Sequence, residues 1–208
     1  MRQIPDVFTA FAVFRRAAAH TTLRAMSDFG APLPARIDRP IALVGLMGAG
    51  KTTVGRRLAK ALGVKFFDAD REIEAAADRS VVEIFSDFGE EAFRDGERKV
   101  IARLLENGPC VIALGGGAFA NDNTRAIVKD KAISVWMKAD LDTLMSRVSR
   151  RDTRPLLLTD DPRKVMADLM ARRESAYAQA DVAVDASSGS HAITVDAILE
   201  ALGNAGLA

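Results

Sequence analysis

The sequence predicts a three-layer α/β/α domain with a five-stranded parallel sheet and a phosphate-binding loop. Three observations predict it. Apolar strand-like runs alternate with helical patterns from residue 40 onward, the order that builds a parallel sheet covered on both faces. The run at residues 110–114 is apolar without interruption, as a strand buried on both faces is. Between the first strand and the first helix lies Gly45-Leu46-Met47-Gly48-Ala49-Gly50-Lys51-Thr52, which fits G-x-x-x-x-G-K-[ST] in the strand–loop–helix context that the pattern requires.

The elements follow in order. Residues 41–44 are the first strand and residues 54–62 a helical pattern. Residues 64–67 read as a second strand ending at Asp68, and residues 71–77 as a helix. Ser80 caps a short helix through Phe85, with Glu83 three positions on completing a capping box. A longer helix over residues 90–105 closes at Asn107-Gly108-Pro109. Residues 110–114, 132–137 and 182–184 supply the third, fourth and fifth strands, with helical patterns between them and a last helix over 193–202. In such a sheet ligands lie at the carboxyl ends of the strands.

The loop carries the first chemistry. Glycines let the backbone wrap with its N–H groups turned inward, and the following helix offers its positive end to a phosphate. Gly48, Ala49, Gly50, Lys51, Thr52 and Thr53 are therefore the expected binding residues for a nucleoside triphosphate. Lys51 reaches the β- and γ-phosphates and the Thr52 hydroxyl ligates Mg²⁺. Asp68-Ala69-Asp70 follows the second strand. Residues two apart in an extended segment point the same way, so both carboxylates are expected to face the cleft. One would stand near Mg²⁺ and the other near an acceptor hydroxyl as proton acceptor. Helix capping needs only one of them. No aspartate ends the third strand, so Asp68 is the natural second metal residue. Gly115-Gly116-Gly117 after that strand reads either as a plain glycine turn or as a segment whose backbone a ligand can approach closely.

Composition excludes several classes. The chain has 208 residues, enough for one α/β domain and an appendage. A formal charge of +1 argues against a nucleic-acid binder working through a basic surface. No apolar run is long enough to span a membrane. The single cysteine, Cys110, sits in a strand as a small hydrophobe, which fits a reducing, cytoplasmic setting. The two histidines, His20 and His191, lie outside every motif, so a histidine-based metal site or triad is not expected.

Residues 1–39 form a separate basic stretch before the domain at 40–208. Arg2, Arg15, Arg16, Arg24, Arg36 and Arg39 stand against Asp6, Asp28 and Asp38. A basic, acid-poor start resembles an organellar transit peptide, but Ser27 is its only serine. The preferred reading is a disordered tail, or an upstream start with Met26 as the initiator.

Together the motifs carry a family resemblance. The loop, Asp68-x-Asp70, Phe93-Arg94-x-x-Glu97, Gly115-Gly116-Gly117, Arg154-Pro155-Leu156-Leu157 and Arg173 in Ala171-Arg172-Arg173 resemble shikimate kinase in order and spacing, over residues 40 to about 203. The resemblance implies an ATP- and Mg²⁺-dependent enzyme that phosphorylates the 3-hydroxyl of shikimate on the route to chorismate and the aromatic amino acids, acting as a monomer. It implies that Arg94 and Arg173 bind the shikimate carboxylate, for which guanidinium forks are suited. Gly115, Gly116 and Gly117 then line the substrate, Gly116 by a backbone contact, and Asp70 grips the hydroxyls beside the attacking oxygen. Glu97, three residues after Arg94 on one helix face, would orient that arginine. Phe85 and Phe93 match aromatic positions of the substrate pocket. The polar segment 149–161 reads as a flap, in which Arg154 resembles the lid arginine that closes over the phosphates. Arg147 resembles the residue that stacks on adenine.

Two rivals remain from the residues alone. One is a kinase for another small hydroxylated acid, such as gluconate, or for a nucleoside monophosphate. The arginine pair with Asp70 fits a compact carboxylate better. The other is a non-catalytic nucleotide-binding switch, which has no need of an acceptor-hydroxyl partner.

Overall fold

A computed structural model describes residues 37–149, 159–187 and 189–207. The segment containing Arg154 and most of the expected flap, and nearly all of the basic stretch, lie outside the described residues.

Five strands form one parallel sheet: β1 (Ile41–Val44), β2 (Lys65–Asp68), β3 (Cys110–Ala113), β4 (Ile133–Lys138) and β5 (Val182–Asp185), in the spatial order β2-β3-β1-β4-β5. Burial explains the order. β1 and β3 are buried at every position and occupy the interior. β2 and β5 sit at the edges, and β5 alternates buried and exposed residues.

Helices α1 (Lys51–Leu62), α2 (Ala69–Ala77), α3 (Val81–Leu105), α4 (Asp122–Lys131), α5 (Leu141–Val148), α6 (Pro162–Tyr177) and α7 (His191–Asn204) cover the faces. Their boundaries have local causes. Ser80 and Glu83 form the expected capping box at the start of α3, with Ser80 N donating to Glu83 Oε2 at 2.8 Å. Gly89, at φ 79° and ψ 175°, breaks α3 into the short and long helices read from the sequence. Gly63 ends α1 in the left-handed conformation that glycine adopts without a steric penalty. Asn121, Asp140 and Asp161 cap α4, α5 and α6 by accepting from backbone N–H groups three residues on.

Topology and register place the functional edge. The chain leaves β1 for β2 and β3 on one side and for β4 and β5 on the other, so the sheet has its switch point at β1. Leu43 pairs with Ala113, and Ala113 pairs with Asp68. The segments that leave β1, β3 and β2 therefore emerge at one level and meet there. Beneath them Ile41, Leu43, Ile112 and Ile133 are all fully buried. Burying each contributes about 1.5–3 kcal/mol, which makes the sheet centre the rigid floor of the site. Among the described residues, no helix is long and apolar enough to cross a membrane.

Candidate active site

The phosphate loop wraps because its glycines take a conformation that side chains disfavour. Gly45, Gly48 and Gly50 have φ of 139°, 84° and 91°. A Cβ at Gly45 would also stand 2.8 Å from the Met137 carbonyl oxygen. Lys51 opens α1, and its Nζ donates to the carbonyl oxygens of Gly45 and Leu46 at 2.7 and 2.9 Å, which lays the ammonium along the inside of the loop.

A cleft of about 530 Å³ opens above the loop. Gly48, Gly50, Lys51, Thr52 and Thr53 line one wall, and Asp68, Asp70, Gly116 and Arg147 line others. Ala49 does not line it; its buried methyl group borders a neighbouring cavity of about 270 Å³. Thr52 Oγ1 donates to Asp68 Oδ2 at 2.8 Å. These two hard oxygen donors suit Mg²⁺, which takes one or two protein ligands and completes its shell with phosphate and water. Among the described residues no larger metal-binding cluster of His, Cys, Asp and Glu is assembled.

The two aspartates reach the cleft by a different route from the one the sequence suggested. The extended segment stops at Asp68, and Asp70 already belongs to the first turn of α2. Strand periodicity therefore does not explain their shared orientation. Asp68 points in from the end of a strand, and Asp70 from the first turn of a helix that starts two residues earlier than the pattern indicated. Asp68 occupies the N-cap position but makes no side-chain cap bond, because its carboxylate is engaged by Thr52.

Beside the cleft a charged cluster surrounds the glycine turn after β3. A Cβ on Gly115 would lie 2.6 Å from Asp70 Oδ1 and 2.9 Å from Glu97 Oε1. A Cβ on Gly117 would lie 2.6 Å from Arg94 Nη2. None of the three glycines has a left-handed φ, so Gly115 and Gly117 are needed for the space a side chain would fill, whereas a Cβ on Gly116 would come no nearer than 3.4 Å to a neighbour. Arg94 Nη1 donates to Glu97 Oε2 at 2.6 Å, and Glu97 is only 1% exposed. Burial raises the Glu97 pKa above its ordinary value; Arg94 pulls it back, Asp70 raises it further, and Arg173 lowers it. The Arg94 guanidinium lies 5.9 and 5.2 Å from the ring centroids of Phe85 and Phe93, which pack at 4.3 Å. Arg94 is thus held on several sides, unlike a solvated helix charge. Arg173, on α6, donates from Nη1 to the Gly116 carbonyl at 2.8 Å. Arg147, on α5, donates to the carbonyls of Ala186 and Ser187 at 2.9 and 3.4 Å.

Two residues were missed by sequence reasoning. His191 begins α7, far from any motif, yet it lines the cleft beside Gly50. Burial lowers its pKa, and the charges of Arg57 and Arg147 lower it further. Tyr177 closes α6 and donates its hydroxyl to the Gly116 carbonyl that Arg173 also holds. No sequence signal marks His191. For Tyr177 the four-residue step from Arg173, which puts both on one helix face, was the available clue.

Comparison with known proteins identifies the family. The family model described as shikimate kinase matches residues 47–203. A shikimate kinase of Caulobacter vibrioides is 56% identical over 177 residues, which cover 85% of this chain and 87% of that protein. One from Novosphingobium aromaticivorans is 50% identical over 171 residues, covering 80% of this chain and 89% of that protein. Among solved structures, shikimate kinase from Acinetobacter baumannii in complex with shikimate superposes with a TM-score of 0.79 at 34% identity, covering 83% of this chain and 97% of that one. With the family model spanning most of the domain and relatives this similar over most of its length, the chain belongs to the shikimate kinase family.

Proposed function

We propose that the chain transfers the γ-phosphoryl group of ATP to the 3-hydroxyl of shikimate, giving shikimate 3-phosphate and ADP. One observation carries this reading: a carboxylate, Asp70, and two guanidinium groups, Arg94 and Arg173, converge on a side-chain-free glycine turn at the rim of the phosphate-loop cleft. A compact acceptor with one carboxylate and several hydroxyls matches that set. With Asp70 beside the arginines, the set fits such an acceptor better than a nucleotide base or a second phosphate.

Position supports a role for each described residue, and the family resemblance supports that of Arg154. Arg94 and Arg173 hold the substrate carboxylate, with Glu97 and the Phe85–Phe93 pair fixing Arg94. Asp70 holds the acceptor hydroxyl in line and takes up its proton as the O–P bond forms. Lys51 swings from the loop carbonyls to the transferring phosphoryl group and stabilises its charge. Thr52 and Asp68 would hold Mg²⁺, which when bound neutralises charge across the β- and γ-phosphates. Arg147 bears on the adenine, and Arg154 supplies further charge over the phosphates. Little covalent chemistry falls to the protein, so positioning and electrostatics dominate.

A coupled assay of ADP release tests the proposal. Turnover with shikimate, and little with gluconate or nucleoside monophosphates, is expected. Preference for either alternative acceptor overturns the assignment.

A further inference from the structure

Three consecutive glycines give the chain its least self-restrained turn beside the proposed substrate position. The restraint comes from α6, where Arg173 and Tyr177 stand one helical turn apart and both donate to the Gly116 carbonyl. Their situations differ. Arg173 has a second duty under the proposed function, because a guanidinium drawn to a substrate carboxylate gives up part of its geometry toward a carbonyl. Tyr177 has none. Its ring is 2% exposed and packs on Trp136 with centroids 5.8 Å apart. The ring and Trp136 both line a cavity shared with Leu46, Ala49 and Met170. Packing leaves room there, so the hydroxyl bond fixes the end of the ring. Burial raises the tyrosine pKa, which keeps the hydroxyl a donor at neutral pH.

We infer that Tyr177 is a positioning residue for the reaction: its hydroxyl latches the Gly116 peptide to α6, so that Arg173 can turn to the substrate carboxylate without releasing the glycine turn. This deepens the shikimate reading and rests on it. The latch sets more than one carbonyl. The described peptide bonds are all trans, so holding Gly116 O toward α6 directs the Gly117 N–H away from α6. Gly117 is also the residue pressed against Arg94, so the same bond sets the spacing of both arginines about the turn.

The test is steady-state kinetics in both substrates on wild type, Tyr177→Phe, Arg173→Lys and the double variant, with thermal melting of each. Tyr177→Phe should raise KM for shikimate about three- to tenfold while KM for ATP stays within about twofold. Its melting temperature should fall by no more than a few degrees. The double variant should lose more shikimate affinity than the product of the single losses, because the turn then has neither full latch. An unchanged shikimate KM in Tyr177→Phe overturns the inference. So does an equal rise in both KM values, or strictly multiplicative losses. A wild-type enzyme inactive on shikimate instead overturns the functional reading, and the inference falls with it.

Discussion

The Thr52 hydroxyl donates to Asp68 at 2.8 Å, joining the first turn of α1 to the end of β2 across sixteen positions of sequence. The bond is possible because β1, β3 and β2 end at one level, which sets the phosphate loop beside the Asp68 carboxylate. Asp68→Asn keeps the shape and removes the charge. It should raise the Mg²⁺ concentration needed for half-maximal rate, and added metal should restore part of the activity. A metal titration giving the wild-type midpoint would remove Asp68 from the metal site.

Asp70→Asn should leave ATP and Mg²⁺ binding nearly intact while turnover collapses. Loss of a general base costs of order 10²–10⁴-fold in rate. Single-turnover measurement separates this from slow product release. Near wild-type turnover on shikimate would refute a catalytic role for Asp70.

Arg94→Ala should weaken shikimate binding about ten- to a hundredfold, the loss typical of a charge-assisted contact, and leave ATP binding in place. It should also destabilise the fold, because Glu97 is buried and would lose its partner; breaking a buried pair costs about 3–5 kcal/mol. Adding Glu97→Gln should recover part of the melting temperature and none of the shikimate affinity. Calorimetric titration with each ligand reads the first effect, and equal losses for both ligands would count against the carboxylate site.

Gly117→Ala places a methyl group 2.6 to 3.0 Å from three atoms of the Arg94 guanidinium. The arginine must move, so KM for shikimate should rise at least about tenfold while KM for ATP changes little. Gly63→Ala is the control. Its Cβ meets no heavy atom within 4 Å, although its φ of 67° strains any side chain. That variant should lower stability by about 1 kcal/mol without a selective loss of shikimate affinity.

Burial pushes the Cys110 thiol up to about 11. At pH 8 about one thiol in a thousand is ionised, so a thiol reagent should label the native protein far more slowly than the denatured one. Because the folded pKa lies above the unfolded one, the stabilisation tied to the protonated thiol is complete at neutral pH. It is lost as pH rises from about 9 through 11, and Cys110→Ala should blunt that alkaline loss in melting experiments.

Much of the domain is legible from local pattern. The unbroken apolar residues of β3, the glycines and Lys51 between β1 and α1, the Ser80–Glu83 capping box and the break at Gly89 each act through neighbours a few residues away, so sequence alone determines them. The same local chemistry marked Thr52, Asp68, Asp70 and the glycine triplet as the residues to watch, whereas Arg94 stood out only through the family resemblance. Boundaries were less legible. The start of α2 two residues early, which changed why Asp70 faces the cleft, depends on how Ala69 is buried beneath the sheet edge.

Only the tertiary structure decided which distant groups meet. The β2-β3-β1-β4-β5 order and the common level of Leu43, Ala113 and Asp68 bring three separate segments to one cleft, and no local signal encodes that register. His191 reaches Gly50 only because α7 packs beside α1. Arg173 and Tyr177 reach Gly116 only because α6 crosses the turn after β3. The physical reason is the same in each case: a motif is a property of backbone and neighbours, whereas a contact between remote residues depends on how buried faces stack, and stacking exists only in the folded chain.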